Sequence, residues 1–303
     1  MVAHFKVRAG KNPIYEITSD NVEALLGRRP PWFRADRQRG DDRHFAVCPY
    51  CDTPIQFKGL YRRQVTSPRP YGSHTGEAIE GFPFNALDLA FCPYRLKARI
   101  GDKKTLREMG PVAKQLIDTA ITEFDRIILI LREDFGFPFS KKFALRMLEQ
   151  WIDSKGYLYI GAHLRNLPWM VAYFGPDQTL FGQFVGKNAE LKERLETKVP
   201  GVGIEASGQL LKGPTYYLVE LQCLHHRAQV NPADGSLVES LQLRVKDFTH
   251  TNEPGKAPTI YQKEILFNPE RFEALVHTPA ERAHRDQPLL DMAKTLAASK
   301  GLL

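Results

Sequence analysis

The sequence predicts an α+β fold: a loop-rich N-terminal module stapled from within, then a helical pair and a mostly antiparallel sheet. Three observations carry this expectation. Residues 1–100 are rich in Pro, Gly and Arg and show little hydrophobic periodicity. Residues 111–155 place apolar side chains at helical spacing, and from Tyr157 the period shifts toward two. Three of the four cysteines, Cys48, Cys51 and Cys92, lie close together in the first third. A basic module over residues 1–104 and an α+β domain over 105–303 are therefore expected.

Taken in order, residues 28–45 and 67–85 read as irregular basic loops, with a short hairpin over 54–65 between them. A region so loop-rich needs an internal staple to stay ordered. A helix follows over 111–134, opened by Pro111 and burying Leu116, Ile117, Phe124, Ile128 and Leu131. A second runs from about 141 to 155, with Ser140 as N-cap and Gly156 as terminator, burying Phe143, Met147, Leu148, Trp151 and Ile152. "GYLYIGAHL", "LPWMVAYFG" and "TLFGQFVG" read as three short strands. "NPADG" (231–235) turns between two β-rich runs, 214–230 and 236–248, and "TIYQKEILF" (259–267) adds a further strand. Charged helices are expected near 188–198, 269–276 and 288–299.

"CPYC" (48–51) returns as "CPYR" (92–95). A redox dithiol needs its first Cys at a helix N-terminus, where the dipole lowers the thiol pKa. Here Cys51 is followed by "DTPIQFKGLY", with an early Pro and a strand-like alternation, and no βαβ unit precedes it. A metal knuckle fits better, because a Cys-x-x-Cys turn aims two thiolates at one tetrahedral ion. Cys92 supplies a third thiolate. His74, in "YGSHTG" between the knuckles, is the expected fourth donor, with His44 the second choice. The predicted cofactor is one structural Zn²⁺ held by Cys48, Cys51, His74 and Cys92. Three thiolates on Zn²⁺ leave a formal charge of −1, which Arg95 is placed to offset. Cys223 reads as a small core residue on a strand.

The net charge of +7 is concentrated at the front. Residues 1–100 carry 16 Lys/Arg against 10 Asp/Glu, and residues 201–303 carry 11 against 12. Arginines interleave with aromatics over 32–63, so Arg34, Arg37, Arg39, Arg43, Arg62 and Arg63 are candidates for phosphate contact. The competing reading packs the rings inward as the core of the module. The expected function is nucleic-acid binding, DNA or RNA, through the N-terminal module, with the C-terminal domain serving a protein partner or self-association. A rival reading is a nuclease or other hydrolase using His163, Glu220 and His226, the last two placed on one strand face by their even spacing. A third is a protein–protein adaptor whose basic face meets an acidic partner. "PD" (176–177) with "ELK" (190–192) matches a nuclease spacing, but reads as a turn followed by an exposed helix. No Walker loop, dinucleotide fingerprint or GxSxG elbow is present. No apolar run is long enough for a membrane span. The first ten residues lack a signal-peptide core, so a cytoplasmic location is expected.

Overall fold

The computed structural model describes residues 1–35, 42–61, 69–97, 100–231 and 234–303. The N-terminal third is a sheet of short strands, more ordered than its composition suggests. These are β1 (His4–Lys6), β2 (Ile14–Glu16), β3 (Phe33–Arg34), β4 (Arg43–Val47), β5 (Pro54–Lys58) and β6 (Tyr71–His74). Their order is β2-β1-β4-β5-β6, antiparallel throughout, with β3 also paired to β4. No strand here exceeds five residues, too few to show alternation among the surrounding Pro, Gly and Arg. Of the hairpin expected over 54–65, the first arm is β5, which pairs with β4 and β6, and residues 62–65 lie outside the described residues. Helix α1 (Ser19–Leu25) is capped by Thr18, whose Oγ1 accepts from Asn21 N at 3.1 Å. Helix α2 (Ala86–Ala90) is capped by Asn85, whose Oδ1 accepts from Asp88 N at 3.0 Å. Val2, Phe5, Val22, Ile55 and Phe57 join Cys48, Cys51 and Cys92 in one buried cluster.

A second cluster fills the rest of the chain. The single helix expected over 111–134 is two, α3 (Pro111–Thr122) and α4 (Phe124–Phe135). They break at Glu123, whose backbone leaves helical geometry at φ −118° and ψ 22°. The apolar spacing continues across the break, so periodicity alone does not reveal it. Helix α5 (Lys141–Asp153) is capped by Ser140 as expected and buries the five predicted side chains. It ends at Ser154, before Gly156. Gly156 serves packing, since a Cβ there would sit 2.3 Å from Trp151 Cδ1.

The three strands expected after Tyr157 are largely absent. "LPWMVAYF" is helix α6 (Leu167–Phe174), buried at every position. A helix apolar on all sides shows no 3.6-residue stripe, so it mimics a strand run. Residues 157–165 form a 3-10 turn and irregular chain, and only β7 (Gln178–Thr179) remains of the third run.

Beyond this point the sequence reading holds more closely. Helix α7 (Ala189–Lys198) leads to a small pair, β8 (Gly203–Ile204) and β9 (Leu210–Leu211). The long hairpin of β10 (Val219–Val230) and β11 (Leu237–Asp247) is present, with β12 (Thr259–Leu266) on its far side. The order β12-β11-β10-β7 is antiparallel. Helices α8 (Pro269–Val276) and α9 (Gln287–Ser299) close the chain. Among the described residues, no helix is long and apolar enough to cross a membrane.

Candidate metal centre

The first knuckle is a tight turn at the end of β4. Cys48 N donates to Thr53 O at 2.9 Å, and Asp52 N donates to Cys48 O at 3.0 Å. Asp52 takes φ +55°, a left-handed conformation that Asp tolerates better than most residues. Its carboxylate pairs with the buried Lys6 and accepts from Gly10 N at 2.8 Å and Gln115 Nε2 at 2.7 Å. The turn is thereby anchored to β1, to the loop after it and to α3. The second CPY segment is also a tight turn. Arg95 N and Leu96 N both donate to Cys92 O, at 2.8 and 2.7 Å. His74 ends β6, opposite Ile55 of β5.

These turns bring the four expected donors together. His74 Nε2 lies 3.4 Å from Cys51 Sγ and 3.5 Å from Cys92 Sγ, and Cys48 Sγ lies 3.9 Å from Cys92 Sγ. All four ligand atoms fall within 4.8 Å of one another. A tetrahedral zinc with Zn–S of about 2.3 Å and Zn–N of about 2.0 Å places its sulfurs about 3.8 Å apart, and sulfur from nitrogen about 3.5 Å. The observed spacings match that template. A disulfide needs about 2.05 Å between sulfurs, so Cys48 and Cys92 are free thiols at ligand spacing. His44 is elsewhere, buried between Phe33 and Tyr61. Burial pushes the Cys48 and Cys92 thiols up. At Cys51 burial is outweighed by hydrogen bonds from Cys48, Cys92 and His74, which hold that thiol well below its ordinary value. The arrangement can bind one ion with four protein ligands, which leaves no open position for substrate water.

Arg95 is exposed, so it does not supply the buried counter-charge expected of it. One buried guanidinium in this neighbourhood is Arg107, which donates to Ala162 O at 3.1 Å and lies over the Phe91 ring. Burial lowers its pKa, while Asp88 and Cys51 oppose that shift. Sequence reasoning missed Arg107, because no local pattern marks it as buried.

The repeated Pro-Tyr joins the centre to the rest of the chain. Tyr50 and Tyr94 meet edge to face, with ring centroids 5.2 Å apart. Tyr50 OH accepts from Arg165 Nη1 at 2.7 Å, and its ring meets His163 at 5.1 Å. Burial pushes the Tyr50 hydroxyl up to about 12. Arg165 in turn pairs with Glu270 at 2.8 Å and with Glu273, both on α8.

The expected His163, Glu220 and His226 set is only partly assembled. Between Leu224 and Arg227 the β10–β11 register shifts, and His225 takes φ +55°. This bulge inserts one residue and reverses the parity that had put Glu220 and His226 on one face. Glu220 pairs with Lys246 and Thr179 at the other end of the strand. His163 and His226 converge instead on Glu239, which the sequence reading missed. His163 Nε2 lies 2.8 Å from Glu239 Oε2, and His226 Nε2 3.1 Å from Oε1. Asn166 Nδ2 donates to Oε1 at 2.9 Å. Arg165 N donates to His163 Nδ1, and Tyr159 OH lies 3.2 Å from His226 Nδ1. Both imidazoles therefore aim an Nε2–H at the carboxylate. Burial opposes the charge on Glu239, but His163 and His226 outweigh it and hold the carboxyl far below its ordinary 4.5.

A depressed carboxyl contributes stability that is fully present above the unfolded pKa and lost as pH falls toward the folded one. Glu239→Gln is accordingly expected to flatten the acid limb of the stability curve below about pH 4.5. Urea unfolding between pH 3 and 6 checks this, and equally steep limbs in both proteins contradict it.

Of the candidate phosphate-binding arginines, Arg34 is exposed on β3 and Arg43 is directly opposite on β4. Arg37, Arg39, Arg62 and Arg63 lie outside the described residues. Most of the interleaved rings pack inward: Phe45 and Phe57 are buried, and Trp32 donates from Nε1 to Val7 O at 2.9 Å. Cys223 is a core residue as expected, its thiol pushed up to about 12 by burial. Comparison with protein-family models, curated proteins and solved structures finds no match to this chain.

Proposed function

We propose that the chain is a zinc-containing protein whose N-terminal module binds nucleic acid through an arginine face. The observation that carries this reading is the β3–β4 ribbon, where Arg34 and Arg43 stand opposite each other. Like charges directly across a ladder repel, and an anion beside the pair relieves that repulsion, as Glu80 does for Arg34 at 4.0 Å. Exposed Arg28 and Arg29 flank the ribbon, their guanidiniums 5.7 Å from the Phe33 ring and 5.4 Å from the Trp32 ring. These contacts orient positive charge along one edge of a metal-stapled sheet. The cytoplasm is the proposed location, since reduced thiols are the form that binds metal. The C-terminal body would meet a protein partner or a second copy.

Salt titration tests the reading. Each phosphate contact on a single strand contributes about −0.7 to the slope of log K against log salt. Arg34→Ala with Arg43→Ala is expected to weaken binding of a labelled oligonucleotide and to make the slope shallower by about 1.4. Fluorescence anisotropy reads both. An unchanged slope, or no binding to single-stranded DNA or RNA at low salt, rejects the proposal.

The rival hydrolase reading keeps one supporting observation, the convergence of His163 and His226 on buried Glu239 beside a cavity. Both imidazoles and the carboxylate are engaged with one another, which favours a fixed polar network.

A further inference from the structure

We propose that the cavity beside Glu239 binds a compact organic cation, an amine carried on an apolar body. The cavity has a volume of about 210 Å³ and lies between the second CPY turn and the β10–β11 hairpin. It is large enough to admit several water molecules. Phe91, Pro93, Leu96, Ile160, Val230 and Leu237 supply apolar wall, and His163 and Glu239 supply the ionisable groups. A small cavity of apolar walls with few converging polar groups is the usual form of a small-molecule site.

The hydrogen-bond account of Glu239 identifies the ligand's chemistry. Oε1 accepts from Asn166 and His226, whereas among the described residues Oε2 accepts from His163 alone. An ionised carboxylate offers about four acceptor positions, so Oε2 retains one. His163 has no free nitrogen to compete for a ligand, because its Nδ1 is taken by Arg165 N. Among the described residues, the ion pairs of Glu239 are with imidazoles and include no Lys or Arg. An ammonium at the remaining acceptor position would add a full charge to the pairing that the two imidazoles already give this buried carboxylate. A ligand ammonium supplies both the charge and the N–H, while the walls cover its hydrocarbon. A hard dication such as Mg²⁺ or Ca²⁺ fits poorly, since apolar walls offer it no further oxygen ligands. This site shares no lining residue with the arginine face, and it borders the turn that carries Cys92.

Calorimetric titration of the full-length chain with benzylamine, and with benzyl alcohol as the uncharged counterpart, tests the proposal. Benzylamine is expected to bind about tenfold or more tightly than the alcohol, and Glu239→Gln to remove that preference. Because Glu239→Gln also disturbs the polar network, Val230→Trp provides a second arm. It fills the cavity from a half-buried position at the end of β10 and leaves the carboxylate's partners in place. Val230→Trp is expected to abolish benzylamine binding with metal content and melting temperature unchanged. Equal affinity for amine and alcohol, no amine binding at millimolar concentration, or binding that survives Val230→Trp overturns the proposal.

Discussion

Cys92→Ser is expected to release the metal and unfold the N-terminal third, while the helices and long hairpin stay folded. The strands there are two to five residues long, and strands this short need a packed face or a cross-link to hold. Cys48, Cys51 and Cys92 are themselves part of the module's buried cluster. An ion held by them would join two turns across the centre of the module. Structural zinc contributes about 10–16 kcal/mol of apparent binding energy in finger peptides, and that energy is available to folding. Losing one of three thiolates removes a large share of it. The second cluster draws its buried residues from Val112 to Ala297 and includes none of Cys48, Cys51 and Cys92. Hydrogen exchange separates the two regions: residues 2–92 should lose protection in Cys92→Ser, and residues 111–299 should keep it. Protection unchanged across β4, β5 and β6 would remove the metal from the account of this module.

Arg165→Met is expected to destabilise the protein by about 3–5 kcal/mol, the usual cost of removing one partner from a buried ion pair. Arg165 is only 2% exposed and joins Tyr50 of the first knuckle to Glu270 and Glu273 of α8. Its removal leaves the mostly buried Glu273 without its cation. Burial already holds Glu273 above its ordinary pKa, against the opposing pull of Arg165. At the more exposed Glu270 the guanidinium prevails over burial and the carboxyl is lowered. Denaturant unfolding measures the loss, and adding Glu273→Gln should restore part of it, because neighbouring charges couple. A loss under about 1 kcal/mol would place Arg165 among weak surface pairs and contradict its bridging role.

The metal donors were legible because their spacing is a chemical constraint. A Cys-x-x-Cys turn, a second Cys-Pro-Tyr and an intervening His leave few other uses in a chain with four cysteines. The amphipathic α5 and the β10–β11 hairpin were legible because one face is buried and the other is not. The misreadings share a cause, the loss of that contrast. Helix α6 is buried on every side and shows no stripe. The break at Glu123 preserves the apolar phase of α3 and α4. Arg107 and Glu239 are charged residues buried by tertiary partners, which local sequence does not encode. The bulge at His225 moved His226 off the face assigned by parity and onto Glu239. One inserted residue thus replaced the Glu220 pairing with a different carboxylate.

The central claim is that one metal ion is gripped by sulfur from both CPY turns and by nitrogen from His74. Zinc-edge X-ray absorption on the stoichiometrically loaded protein measures that shell directly. The account predicts one zinc per chain with three sulfurs at about 2.3 Å and one nitrogen at about 2.0 Å. A protein purified without metal that stays folded with all its thiols titratable, or a shell of oxygen donors, contradicts it.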